Sequence, residues 1–173
     1  DLGNGLVLQH NPARAVSTAA KVDKVSVAAR KCFLCKENRP LQQFAVSTMG
    51  SVEVLVNPFP ILPFHLTLPL KNHTPQRLEG MYADMLHLAR EWQGVALFYN
   101  GAKCGASAPD HAHLQAGRCT DIPVFNDKWS NVIADGMEPV YTFEGSIIYN
   151  VTSYAVPMFM IVAGKVSHSV ELL

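Results

Sequence analysis

The apolar pattern between residues 52 and 70 predicts two short strands. Val52 to Val56 is apolar apart from one glutamate, and in His65 to Leu70 three leucines alternate with histidine, threonine and proline. Strict alternation is the pattern of a half-buried strand. Because proline has no N–H to donate to a neighbouring strand, Pro69 predicts that the second strand lies at a sheet edge.

A helix is predicted directly after these strands. Thr74-Pro75 is a favourable helix start, because threonine can accept from the free backbone N–H groups and proline fits the first helical position. We expect the helix to continue to about Trp92. Its apolar residues recur every three or four positions and are therefore interpreted as a core face, not a cofactor site: Leu78, Met81, Met85, Leu88 and Trp92.

Strand patterns continue after the helix. Four further strands are predicted, at 94–100, 111–117, 141–149 and 158–163. A loop rich in small residues, 101–110, lies between the first two of them. Since the chain has no internal repeat and no flexible linker, one domain over 1–173 is the simplest prediction. The chain stops at Leu173 without a terminating element, so we expect it to be the N-terminal part of a longer protein.

Composition and charge limit the classes of protein to consider. Hydrophobic residues make up 49% of the 173 residues and charged residues 16%, which is typical of a globular protein and excludes disorder. Lys plus Arg equal Asp plus Glu at 14 each, so no overall field would attract nucleic acid or an anionic membrane. Because neither a bilayer-spanning run nor a secretory signal is visible, we expect a cytoplasmic protein.

Three polar side chains are predicted to share one face of the strand at 111–117. Residues two apart on a strand point the same way, so His111, His113 and Gln115 converge while Ala112 and Leu114 point into the packing. A partly exposed polar strand is the alternative interpretation. The adjoining loop favours a site, because Gly105 to Pro109 offers free amides and a hydroxyl suited to a phosphate.

A second candidate site is the pair Cys32 and Cys35. Two thiolates at this spacing can bind one ion at about 2.3 Å each, leaving two tetrahedral positions for other ligands. Histidines are the candidates, and His73 and His111 are those whose neighbours already suggest a site. A redox dithiol is the alternative, although the strand-to-helix setting of such motifs is missing.

Together these residues resemble a known family, the galactose-1-phosphate uridylyltransferase and diadenosine tetraphosphate phosphorylase branch of the histidine triad superfamily. The resemblance covers roughly Asn11 to Gly117 and is carried by Phe98-Tyr99-Asn100, Gly105-Ala106-Ser107 and His111-Ala112-His113-Leu114-Gln115. Within the branch, the loop is most similar to nucleoside-diphosphate-sugar phosphorylases and to uncharacterised bacterial members. The resemblance implies an α+β fold with an antiparallel sheet and a packed long helix, as one half of a two-part uridylyltransferase-like protein.

The resemblance also implies an activity. His113 would attack the α-phosphorus of a nucleotide donor and hold the nucleotidyl group covalently, while Gln115 would bind the phosphoryl oxygens. In the hydrolytic branch a third histidine takes the place of this glutamine. Glutamine therefore favours transfer to a phosphate or a sugar phosphate, so the expected enzyme is a nucleotidyltransferase or phosphorylase acting on a nucleoside diphosphate sugar or a dinucleoside polyphosphate.

The same resemblance implies further site residues. A structural zinc ion would be held by Cys32, Cys35, His73 and His111. Substrate contacts are expected in the pocket-entrance segment, in the small-residue loop and near the N-terminus, from Asn57, Phe59, Asn100, Ser107 and Arg14. Independently of the resemblance, Lys103 in that loop could supply positive charge, although an exposed loop lysine is more often only solubilising. No nucleic acid or membrane partner is implied, and a homodimer is left open.

Three alternatives differ in class. The first is a nucleotide hydrolase of the same superfamily, and the second is a non-catalytic nucleotide-binding zinc module. The third, a zinc-ribbon protein that binds nucleic acid, is disfavoured because only one CxxC pair is present and the net charge is zero.

Overall fold

The computed structural model describes residues 8–15, 19–47 and 50–171, and its main feature is a five-stranded antiparallel sheet. The strands occur in the order β1-β2-β3-β5-β4. Their bounds are β1 Ala45–Ser47, β2 Glu53–Val56, β3 His65–Pro69, β4 Val95–Phe98 and β5 His113–Arg118. Two helices accompany this sheet, α1 Lys24–Ala29 and α2 Tyr82–Glu91.

One face of this sheet carries the hydrophobic core. Leu68 on β3 and Leu114 and Ala116 on the adjacent β5 are fully buried and form one cluster with Met81. Met85, Leu88 and Trp92 pack against it, as the predicted apolar stripe requires. Residues that alternate with the buried ones therefore point to the opposite face, where the polar side chains of β3 and β5 collect.

Helix α2 is shorter than the sequence predicts. Thr74-Pro75 does not start a helix, because the backbone around it bonds to other segments: the Thr74 carbonyl accepts from the Ala112 N–H at 2.7 Å, and the Gln76 N–H donates to the Pro109 carbonyl at 3.1 Å. The chain then turns at Gly80, whose φ of 80° suits glycine, and enters the helix. Tertiary hydrogen bonds have overridden the local start signal.

The prediction of an edge strand from Pro69 was wrong. Strand β3 lies between β2 and β5, with Pro69 opposite His113 at its last position. Proline is tolerated there because the hydrogen bond at the end of the ladder is donated by the next residue, from the Leu70 N–H to the Ala112 carbonyl at 2.9 Å.

A second antiparallel sheet is formed by the later residues, in the order β6-β7-β8. Its strands are β6 Met137–Phe143, β7 Ser146–Val151 and β8 Met158–Val162, accompanied by α3 Asp127–Asp135 and α4 Val166–Glu171. The strand predicted at 141–149 is in fact a hairpin. Glu144 and Gly145 both have positive φ, 44° and 76°, which is the geometry of a two-residue turn.

The chain forms two compact units. One spans Gln9–Asp121, and the other consists mainly of Ile122–Leu173. Antiparallel sheets with separate helices agree with the predicted α+β class. The single domain over 1–173 stays a prediction, and every candidate site residue lies in the first unit. Within the described ranges, the helices are all too short or too polar to cross a membrane.

Candidate metal centre and histidine site

Four side chains that can bind a metal ion lie together in the first unit. The ligand atoms of Cys32, Cys35, His73 and His111 are all within 4.8 Å of one another. Nδ1 of His111 is 3.3 Å from the Cys32 sulfur and 3.5 Å from that of Cys35, and Nδ1 of His73 is 3.2 Å from the Cys35 sulfur. Ligand atoms around a tetrahedral ion such as zinc lie roughly 3.3 to 3.8 Å apart. The three short distances are close to this range, and the four groups could bind one metal ion.

The hydrogen bonding of His111 leaves the correct nitrogen available for a metal. Its Nε2 is 2.8 Å from the Leu70 carbonyl oxygen, which can only accept, so Nε2 carries the proton. Nδ1 then presents its lone pair to the two thiols. Burial lowers the pKa of His111 below its usual value and favours this neutral form. A backbone partner on the far nitrogen is the usual way to orient a metal-binding histidine.

Further side chains hold in place the loop of residues 32–35, which we call the cysteine loop. The Asn38 amide donates to the Cys32 carbonyl at 3.0 Å, and Arg39 donates twice to the Leu34 carbonyl, at 2.8 Å and 2.6 Å. Arg39 also pairs with Glu53 on β2 at 2.6 Å. The loop is thus fastened to the sheet that carries His113.

A bound cation would change the protonation state of the two thiols. Burial and the neighbouring Cys32 raise the pKa of Cys35 to about 11. A divalent ion has the opposite effect, since it binds thiolates and displaces their protons. Two thiolates and two neutral imidazoles around a divalent ion have no net charge, which suits a partly buried position.

His113 is the first residue of β5, lies on the polar face of the sheet and is 6% exposed. Its Nδ1 lies 2.8 Å from the His111 carbonyl oxygen and must donate to it. Burial lowers the pKa of His113, so the ring is neutral near pH 7 and Nε2 keeps a lone pair. In the described part of the chain, no side chain hydrogen-bonds to this nitrogen. The ring is therefore positioned to act as a nucleophile or base through Nε2.

Gln76 fixes the backbone of His113. Its side chain accepts from the His113 N–H at 2.7 Å and donates to the carbonyls of His113 and Asn100 at 3.0 Å and 2.9 Å. The glutamine is 3% exposed. It joins the end of β4 to the start of β5 at the point where the ladder between them stops.

Replacement of Gln76 by glutamate is expected to destabilise the protein by about 2–4 kcal/mol near pH 7, since two buried carbonyls lose their donor. Urea denaturation measures the loss, with the exposed Gln42→Glu as control. The difference in the free energy of unfolding between wild type and Gln76→Glu should become smaller as the pH falls, because the introduced carboxyl regains one O–H donor when it is protonated. A Gln76→Glu protein as stable as the control would show that these bonds contribute little.

Gln115 lies on the same face as His113, and its amide is already oriented. Its Oε1 is 2.9 Å from Nε2 of His65, a buried residue on β3. In the sheet, Gln115 stands opposite Thr67 on one side and Phe98 on the other. The face around His113 is thus built from β3, β5 and β4.

The segment 57–61 borders this face and is held at several points. The Asn57 side chain donates to the Thr67 hydroxyl at 2.9 Å and accepts from the Phe59 N–H at 2.8 Å. Arg14 donates to the Phe59 carbonyl at 2.7 Å. Three of the predicted substrate contacts, Arg14, Asn57 and Phe59, are therefore joined to one another.

The loop 101–110 is tied to the cysteine loop through Arg30. This arginine pairs with Asp110 at 2.6 Å, donates to the Ser107 carbonyl at 3.4 Å and stacks on Phe33 with 4.9 Å to the ring centroid. Asn100 joins the site through its carbonyl, which accepts from Gln76. Lys103 is exposed, and no described contact connects it to His113.

Several functional positions were missed by sequence reasoning. Gln76 was assigned to a helix, and nothing local signals its three long-range bonds. His65 was left without a role, although its alternation with Leu66 places it on the face of Thr67. Arg30 and Arg39 flank the cysteine pair closely in sequence, but their ion-pair partners lie far from them along the chain.

Comparison with known proteins identifies a family without assigning a function. A family described as a domain of unknown function (DUF4922) matches residues 3–118, which is well over half of the 173 residues. Searches of curated proteins and of solved structures gave no match. The matched residues include the four side chains that could bind a metal ion, as well as His113 and Gln115. The chain belongs to the DUF4922 family.

Proposed function

We propose that this protein is a nucleotidyltransferase or phosphorylase with a histidine triad-like fold. Its substrate would be a nucleoside diphosphate sugar or a dinucleoside polyphosphate, and its intermediate a nucleotidyl group on His113. The observation that carries the proposal is the fixed tautomer of His113, whose Nδ1 donates to the His111 carbonyl and leaves Nε2 with a lone pair. Gln115 stands two residues away on the same face.

The proposed first step forms a phosphorus–nitrogen bond. Nε2 of His113 attacks the α-phosphorus, and the bond from that phosphorus to the bridging oxygen of the leaving sugar phosphate or nucleoside polyphosphate breaks. The ring gains positive charge, which the His111 carbonyl stabilises through Nδ1. In the second step an acceptor phosphate oxygen attacks the phosphorus. The phosphorus–nitrogen bond then breaks, and its electron pair returns to Nε2 of His113, so that the ring becomes neutral again.

The other residues of the face would bind and orient the substrate. The Gln115 amide would donate to the phosphoryl oxygens as charge develops on them. Arg14 would supply positive charge beside the segment 57–61. The remaining proposed substrate contacts are Asn57, Phe59, Asn100, Lys103 and Ser107.

We assign zinc to the metal centre. Two cysteines and two histidines are a typical donor set for this ion. Zinc there would be structural, because the protein fills all four positions and leaves none for water. Its ligand His111 also provides the carbonyl that orients His113, so the ion would hold the catalytic strand.

Product analysis with and without inorganic phosphate tests the proposal. Nucleoside diphosphate sugars and dinucleoside polyphosphates with each base are offered, and released nucleotides are separated. We expect a phosphate-dependent nucleoside diphosphate product. Nucleoside monophosphate formed equally without phosphate would indicate a hydrolase. Binding without any product, unchanged by His113→Asn, would indicate a non-catalytic module.

A further inference from the structure

His65 uses both of its ring nitrogens within the candidate site. It lies on β3 beside β5 and is 4% exposed, with its ring stacked on Phe98 at 5.8 Å between centroids. Nδ1 is 3.1 Å from the Ile61 backbone nitrogen, and Nε2 is 2.9 Å from Oε1 of Gln115. One ring thus connects the segment 57–61 to the glutamine next to His113.

The partners of His65 determine its tautomer. The Ile61 N–H can only donate, so Nδ1 accepts and is unprotonated in the neutral ring. Nε2 must then carry the proton and donate to Gln115. A glutamine amide has two orientations of similar shape, and this donor selects the one with oxygen toward His65. The N–H₂ group of Gln115 is consequently turned away from His65.

We propose that His65 is a positioning residue, which orients the Gln115 amide for the phosphoryl group and couples that orientation to the segment 57–61. This inference rests on the proposed function, in which Gln115 binds the transferred phosphoryl oxygens. In the opposite orientation, the N–H₂ group of Gln115 would face the Nε2–H of His65, so that two donors would oppose each other. The Oε1 atom of Gln115 would then face the substrate oxygens, which are acceptors as well.

The segment coupled to His65 is itself held by the N-terminal residues. Gln9, Asn11 and Arg14 donate to the carbonyls of Ile61, Pro60 and Phe59, at 3.0, 3.1 and 2.7 Å respectively. Ile61 is therefore bound through its carbonyl on one side and through its N–H on the other. A substrate contact that shifts this segment would therefore also act on His65 and Gln115.

Two substitutions separate the two bonds of His65. His65→Asn places an amide oxygen near the Nδ1 position, so it can accept from Ile61 but does not reach Gln115. His65→Gln places an amide nitrogen near the Nε2 position, so it can donate to Gln115. His87→Asn and His87→Gln are the controls, since His87 is exposed on α2.

The rate of adduct formation is measured by rapid quench with saturating donor. We expect His65→Asn to lower this rate by roughly 10- to 100-fold, as misplaced catalytic groups do, and His65→Gln to remain within about 3-fold of wild type. Thermal stability and metal content are recorded for each variant. Equal rates in the two His65 variants, at matched stability, would overturn the inference.

A second readout does not need activity. The side-chain amide signals of Gln115 are assigned in ¹⁵N NMR spectra by their loss in Gln115→Glu. We expect these signals to move and to exchange faster in His65→Asn, and to stay near wild type in His65→Gln. Signals indifferent to both changes would overturn the inference. If they respond as expected while wild type forms no adduct, the positioning is supported and the proposed function fails.

The pH dependence of His65 adds a further expectation. Burial holds its pKa below the usual value, opposed by the bond to Gln115 and reinforced by the positive charge of Arg14. Protonation of Nδ1 removes the acceptor for Ile61 but leaves the Nε2–H bond to Gln115. The contribution of His65 to stability is therefore complete above pH about 6.5 and is lost as the pH falls through its lowered pKa. His65→Gln should lack this component.

Discussion

Replacement of His113 by asparagine is expected to lower turnover by roughly four orders of magnitude, as removal of a covalent nucleophile does. Asparagine can keep a side-chain N–H near the position of Nδ1, where it donates to the His111 carbonyl. It has no atom at the position of Nε2. The substitution therefore removes the proposed nucleophile while preserving the hydrogen bond that holds the strand. Steady-state rates with the donor identified by product analysis provide the measurement.

Two comparisons make the His113→Asn result interpretable. His87→Asn changes an exposed histidine on α2, which packs on the other face of the sheet, and should leave turnover unchanged. Far-ultraviolet circular dichroism and metal content should match wild type in both variants. If folded His113→Asn retains a tenth or more of the activity, His113 is not the nucleophile.

Replacement of Cys32 by serine is expected to release the metal and to lower the melting temperature by roughly 10 °C or more. The sulfur of Cys32 lies 3.3 Å from Nδ1 of His111, and its residue is 7% exposed. Loss of the ion leaves the remaining ligands in a cluster without a compensating cation. Elemental analysis and thermal denaturation of freshly purified protein measure both effects.

Cys104→Ser is the matched control for the metal prediction, since Cys104 is free and exposed. It should keep wild-type metal content and melting temperature. We also expect His113 to lose its alignment in Cys32→Ser, because its Nδ1 bonds to the carbonyl of a metal ligand. A wild-type protein purified without chelators and free of metal would contradict the assignment of the centre.

Alternation predicted the placement of His113 and Gln115 but not that of His111, which lies outside β5 and contacts Cys32 and Cys35. Ala112 and Leu114 were expected inside and are 1% and 0% exposed, which places His113 and Gln115 on the opposite face. The structure also brings together four side chains that could bind a metal ion, the set that the family resemblance implied: Cys32, Cys35, His73 and His111. The alternation can be seen in one sequence, whereas the complete set of four ligands was implied only by the family resemblance.

What could not be predicted depends on partners distant in the chain. Thr74-Pro75 has the chemistry of a helix start, but the next residue, Gln76, forms side-chain hydrogen bonds to the backbone of His113 and Asn100 instead. The role of His65 could not be predicted, because it depends on the register of β3 with β5 and on a bond to a residue fifty positions later. No local propensity contains this information, since long-range hydrogen bonds outweigh the small preference of a few residues for helix.

The most direct measurement is the location of the nucleotidyl adduct. Protein mixed with donor in the absence of acceptor is quenched in alkali, digested, and mapped by mass spectrometry. We expect a single nucleoside monophosphate on the peptide containing His113, stable to alkali and lost in acid, as a phosphoramidate should be. An adduct on another residue, or phosphate-dependent turnover with none on His113, would contradict the proposed mechanism.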